Sequence, residues 1–230
     1  MYYILMDTNF LYISYDKFNS SFEHFEFNNA FQELRKAIKD AGEESNCELL
    51  VPELVVEELL KQRTSAYLST VDAFDKAKRA LGIHQNISGI EDEKSFAERS
   101  RREAYDLFKK ENVKIIKNCD NSYLENIISD AIDKSPPFEG INGKSDKGFK
   151  DIVIWYSGIQ HAKEKEGYYI LLTKDDIFHK EENCIMNSKF SRLTSRVYGH
   201  SIRVTLAVLH FFRFSMSFFS LIRNCSSEPK

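Results

Sequence analysis

Four short strand-like runs, at residues 2–6, 48–51, 113–116 and 168–173, mostly apolar though the second holds Glu48 and the third Lys114, alternate with segments of helical periodicity, and this alternation constrains the fold more than anything else in the chain. Short, largely apolar runs of this length suit strands. Between the first two, Phe27, Phe31, Leu34 and Ile38 recur at helical spacing within a helix expected over 22–39, with Gly42 as its stop. Pro52 suits the first turn of a helix reaching about residue 62. A charged helical stretch over 66–110 is broken at 82–89 (GIHQNISG), which reads as a hairpin of two helices. Further helices are expected at 123–133 and 151–163, separated by a loop at 138–148 that holds three glycines. Strands alternating with helices imply an α/β chain with a mainly parallel central sheet. There is no internal repeat and no low-complexity linker.

At 230 residues, with 42% hydrophobic and 29% charged residues, the chain has the composition of a globular protein with a full core. Cys47, Cys119, Cys184 and Cys225 are scattered without a C-x-x-C pair, which argues against a zinc site or a disulfide framework and for reduced thiols. No basic region precedes the strand-like MYYILMDTN, so a cytoplasmic location is expected. The net charge of −3 conceals an asymmetry: residues 183–230 hold seven basic residues and one acid, whereas the remainder holds 25 basic and 34 acidic ones. A basic end on an acidic body fits polyanion binding; it fits equally a tail packed on the body by charge. The apolar segment 203–222 has almost the length of a membrane span, but His210 and Arg213 sit in its middle. A strand at about 203–209 followed by an apolar helix is the preferred reading, with a membrane anchor disfavoured and a dimer surface as a further use of its phenylalanines.

Four acids stand at the borders of apolar stretches: Asp7 in ILMDTNFLY, Glu58 in VPELVVEELL, Asp151 in KGFKDIVIW and Asp175 in ILLTKDD. Taken singly, Asp7 suits a helix N-cap, Glu58 a solvated helix position, Asp151 a first helical turn and Asp175 an ordinary turn. Taken together they suggest one site. Ligands of open parallel sheets bind beyond the carboxyl ends of the strands, where Asp7 and Asp175 lie. Asp151 reaches that end if the glycine-rich loop before it carries the helix start there. Glu58 falls on the flank of its helix's apolar face, between Leu54 and Val55, while Glu57 is turned toward solvent. Carboxylates gathered this closely raise one another's pKa, and a divalent cation relieves the repulsion. Oxygen donors without a His/Cys set point to Mg²⁺ or Mn²⁺, and the isolated His84, His161 and His179 read as surface or supporting residues.

The same segments, in order, resemble the motifs of the PIN domain family of metal-dependent nucleases. MDTNFLY resembles the first-strand motif, VPELVVEEL the second, PPF followed by KGFKDIVIW the third motif of a bacterial subgroup with a helical insertion, and LLTKDDIF the fourth. The resemblance covers roughly residues 1–180. It implies a three-layer α/β sandwich with a helical-hairpin insertion at about 64–111, in a domain read as 1–195; the basic, aromatic strand–helix extension at 196–230 is a reading of the residues alone, with no family pattern behind it. It also implies that Asp7, Glu58, Asp151 and Asp175 are the catalytic metal ligands. Thr8 and Asn9 would support Asp7, and Thr173, Lys174 and Asp176 complete the fourth motif. Lys174 departs from the family, which usually has Asn there, and leaves Asp176 as a competitor of Asp175.

The activity expected from this resemblance is hydrolysis of single-stranded or loop RNA, with Lys189, Arg192, Arg196 and Arg203 binding phosphates. A DNA nuclease and a catalytically idle nucleic-acid-binding scaffold are the alternatives. An antitoxin-like protein and a second copy of the chain are the protein partners considered. A phosphatase built on an aspartyl nucleophile is disfavoured, because Asn9 stands where its second aspartate belongs.

Overall fold

The computed structural model describes residues 1–15, 21–83, 88–133, 138, 148–165, 167–173 and the backbone of 207–209. Five parallel strands form one sheet in the order β3-β2-β1-β4-β5. They are β1 (Tyr2–Met6), β2 (Cys47–Pro52), β3 (Val113–Ile116), β4 (Tyr168–Leu172) and β5 (Ala207–Leu209). Parallel pairing needs crossovers, and among the described residues the successive strands from β1 to β4 are separated by helices. These are α1 (Thr8–Leu11), α2 (Asn29–Asp40), α3 (Glu53–Ala80), α4 (Glu93–Lys110), α5 (Leu124–Ile132) and α6 (Phe149–Glu164). The chain is an α/β sandwich, as the alternation of apolar runs implies.

The central strands are covered on both faces. Ile4 and Met6 point one way and Tyr3 and Leu5 the other, yet none is more than 5% exposed. The neighbouring Tyr169, Ile170, Leu171 and Leu172 are equally buried. Such strands read as continuous apolar runs, which is why they stand out in the sequence. On the Leu5 face α6 lies very close: a Cβ at Gly158 would sit 2.8 Å from Leu5 Cδ2.

Two helices differ from their expected extents. The first begins at Asn29 and not at residue 22. Asn28 caps it, its Oδ1 accepting the Phe31 N–H at 3.0 Å while its Nδ2 donates to the carbonyls of Phe10 and Tyr12. A side chain bonded to backbone on both sides favours a cap over a helix interior, so the residues before it leave the helix. Phe25 and Phe27 still reach the core from a non-helical segment, while the partly buried Phe22 packs on Tyr67 and Phe96. At the other end Gly42, at φ +68, allows the N–H of Glu43 to bond back to Ile38 and its own to Lys39, a left-handed helix stop.

The second difference is in α3. It continues unbroken for 28 residues, where a helix to about residue 62 and a separate helical region from 66 are expected. At the position of the expected break lies Arg63, which is 1% exposed and enclosed by the rings of Phe22, Phe25 and Phe96 at 5.6–5.8 Å. Its guanidinium donates to the Phe22 carbonyl at 2.9 Å and to Ser100 Oγ at 3.3 Å. Tyr67 stacks on Phe96 at 3.8 Å, and Arg99 pairs with Glu91 and Glu103. The α3–α4 hairpin is thus tied to the body through a desolvated cation–aromatic cluster.

The strand expected at 203–209 is present over Ala207–Leu209, paired with β4 from Ile170 to Leu172. The remainder of the apolar 203–222 segment lies outside the described residues. Among the described residues no helix is long and apolar enough to cross a membrane. Cys47 and Cys119 are free and half-buried.

Candidate metal centre at the carboxyl edge of the sheet

Asp7 follows the last residue of β1. Its N–H donates to the Leu172 carbonyl at 3.0 Å, which extends the β1–β4 ladder by one residue and fixes the aspartate at the carboxyl edge of the sheet. Asp7 is 4% exposed. Its Oδ1 accepts the Thr8 N–H, which caps α1, and its Oδ2 accepts the Thr173 hydroxyl at 2.7 Å. The cap role and the buried acid are therefore the same residue. Thr173, just past β4, is fully buried, so this bond joins the side chains of the first and fourth sequence motifs where the β1–β4 ladder already brings their backbones together.

The second motif joins through Thr8. Its hydroxyl donates to Glu58 Oε2 at 2.8 Å, across 50 residues of sequence. Glu58 sits in the second turn of α3, directly after β2. The helix start is held in place by Asn118, whose Oδ1 accepts the Leu54 N–H at 2.9 Å. The Glu58 side chain is 18% exposed. Glu57 turns away, as its helical position requires, and pairs with Arg101 of α4 through both carboxylate oxygens.

The third motif arrives at the same place. Gly148, at φ +98, precedes α6, and Lys150 in the first turn bonds Glu58 Oε1. Asp151 is the next residue, half-buried. A special crossover loop is not needed to explain this. A helix that runs antiparallel to the strand it feeds must start at that strand's carboxyl edge, and α6 leads straight into β4.

The sequence motifs around Asp7, Glu58, Asp151 and Thr173 therefore converge on one edge, with Thr8 as the bridge between two acids. Asn9 is exposed. Among the described residues no three His, Cys, Asp or Glu side chains form a ready cation cage. Lys174, Asp175 and Asp176, and the basic Lys189, Arg192, Arg196 and Arg203, lie outside the described residues. The donor chemistry at the edge is that of hard oxygens, two carboxylates with hydroxyls aimed at them, which fits a hard divalent cation. Glu58 already accepts a cationic donor there.

Lys150, a direct partner of Glu58, was not singled out from sequence; its position immediately before Asp151 in KGFKDIVIW was the available signal. His161, expected on the surface or beside the site, is instead 8% exposed near the opposite end of α6. Its Nδ1 faces the Tyr169 hydroxyl at 2.7 Å and its Nε2 lies 3.3 Å from Lys114 Nζ. Burial foremost, then the nearby Lys114 charge, hold its pKa below the usual histidine value. Tyr3, at the start of β1, and Glu48 of β2 complete that cluster, which is structural and remote from Asp7.

A family model of the PIN domain matches residues 4–178, three quarters of the chain and all the segments just described. No curated protein and no solved structure matches the chain.

Proposed function

The chain belongs to the PIN domain family, whose general activity is that of a metal-dependent nuclease, and from that premise we propose that it is an endoribonuclease acting on single-stranded or loop RNA. The observation that carries this reading is the Asp7–Thr8–Glu58 connection, closed by Thr173 on one side and by the start of α6 on the other. In this reading Asp7, Glu58, Asp151 and Asp175 hold Mg²⁺ or Mn²⁺. When bound, the cation lowers the pKa of a water and neutralises charge developing on the phosphate.

The chain's own residues do the positioning. Thr173 and the Thr8 N–H restrain both oxygens of Asp7, and Thr8 Oγ1 restrains one oxygen of Glu58, so the carboxylates lose little freedom on accepting a ligand. In-line attack of water on phosphorus would break the bond to the leaving oxygen, the water giving up one proton and the leaving oxygen taking one up from solvent. The basic residues Lys189, Arg192, Arg196 and Arg203 supply affinity for the RNA backbone and make binding salt-dependent. Oxygen ligation favours Mg²⁺ or Mn²⁺ over softer metals.

The test is cleavage of a long unstructured RNA, and of the DNA of matched sequence, by purified protein with Mn²⁺. Internal cuts in RNA, abolished by EDTA and by Asp151→Asn, are expected, with RNA binding retained in the variant. Preferential cutting of DNA would replace the substrate class. Binding of metal and RNA without cleavage would leave a scaffold, and cleavage surviving in Asp151→Asn would remove Asp151 from the site.

A further inference from the structure

We propose that Lys150 is the resident counter-cation of Glu58, competing with the divalent cation for this carboxylate and so setting the metal affinity of the site. The inference rests on the metal-dependent reading above. Among the described residues each oxygen of Glu58 has one hydrogen-bond partner: Oε2 accepts from the neutral Thr8 hydroxyl, and Oε1 accepts from the Lys150 ammonium. The Glu58 side chain is only 18% exposed and is joined through Thr8 to a second acid that is 4% exposed. Negative charge this poorly solvated needs a positive partner. Lys150 supplies one from the solvent side, with 56% of its own side chain exposed.

The adjacent acid shows the contrast. Glu57 is held by Arg101 through two contacts, one to each carboxylate oxygen. A planar guanidinium fork of that kind locks a carboxylate in one geometry. Glu58 has instead a point charge on a flexible stem, touching one oxygen. Such a contact is readily exchanged, because a half-exposed ammonium regains its hydration when it leaves. The neighbouring position within one short element is suited to the exchange: Gly148 makes the left-handed turn into α6, Lys150 reaches Glu58, and Asp151 follows in the same first turn. A divalent cation arriving at Glu58 must displace the ammonium from Oε1 or share the carboxylate with it. Either way the lysine opposes metal binding and stabilises the metal-free protein.

The experiment is Mn²⁺ titration by calorimetry, with no nucleic acid present, on the wild type, Lys150→Met and Lys150→Arg, alongside metal-free thermal denaturation. Lys150→Met is expected to bind Mn²⁺ about fivefold to tenfold more tightly, equivalent to about 1–1.4 kcal/mol. Its metal-free melting temperature is expected to fall by about 2–4 °C, and saturating Mn²⁺ is expected to recover that loss. Lys150→Arg keeps the charge and is expected to stay within about threefold of the wild-type affinity or to bind more weakly. Unchanged or weaker Mn²⁺ binding in Lys150→Met overturns the proposal, as does equal tightening in Lys150→Arg. A wild type that binds no Mn²⁺ at all refutes instead the metal-dependent reading on which the proposal stands.

Discussion

Thr173→Val tests the bond that joins the two ends of the candidate site. Thr173 is fully buried and donates to Asp7 Oδ2 at 2.7 Å. Valine has nearly the same shape, so the change removes the donor with little effect on packing. A hydrogen bond to a charged group contributes about 1.5–3 kcal/mol, and a buried acceptor that loses its donor keeps its desolvation cost. The Thr8 N–H still serves Oδ1, so the loss is confined to one oxygen. For a chain of this size 1 kcal/mol corresponds to about 2–4 °C, so the melting temperature is expected to drop by about 3–12 °C. Thr173→Ser retains the hydroxyl and loses one methyl, and is expected to lose about 1 kcal/mol. The decisive measurement is a double-mutant cycle by denaturant unfolding with Asp7→Ala, which removes the acceptor altogether. Residues in direct contact couple by 0.5 kcal/mol or more, and a cycle energy below about 0.5 kcal/mol would refute a stabilising Thr173–Asp7 bond.

Two further predictions concern the scaffold. His161 is held neutral in the folded state by burial and by Lys114, with Tyr3, Glu48 and Tyr169 facing it from three strands and Glu164 and Lys165 beside it in sequence. Its folded pKa lies below the unfolded value of about 6.5, so its contribution to stability is fully present above about pH 6.5 and declines as the pH falls toward the folded value. Urea unfolding of His161→Gln between about pH 7.5 and 5 is expected to show a shallower loss of stability than the wild type; equal slopes would refute the assignment. Arg63→Ala empties a fully buried position among three phenylalanine rings and is expected to cost about 3 kcal/mol or more, read as a lower denaturant midpoint. A loss below about 1 kcal/mol would mean that the hairpin is held by its apolar contacts alone.

Local pattern alone determined the framework of this protein. Runs such as Tyr2–Met6 and Tyr168–Leu172 are apolar because their strands are covered on both faces, so strand positions and the α/β class were legible without any contact known. The inward turn of Glu58 and the outward turn of Glu57 followed from helical geometry in the same way. Tertiary structure decided what local pattern leaves open. Helical spacing continues through Phe22–Phe27 as readily as through Asn29–Asp40, and it was the Asn28 side chain, bonded to the distant Phe10 and Tyr12 carbonyls, that set the boundary. Arg63 in a helix looks solvated until rings from two other segments close over it. The site depended on tertiary structure most of all. Asp7, Glu58 and Asp151 could be nominated one by one, but the Thr8 bridge across 50 residues and the Lys150 contact across 92 exist only because parallel strands place their carboxyl ends, and the helix that feeds β4, at one edge. Sequence specifies which side chains can carry charge and donate hydrogen bonds; the sheet's single direction decides which of them meet.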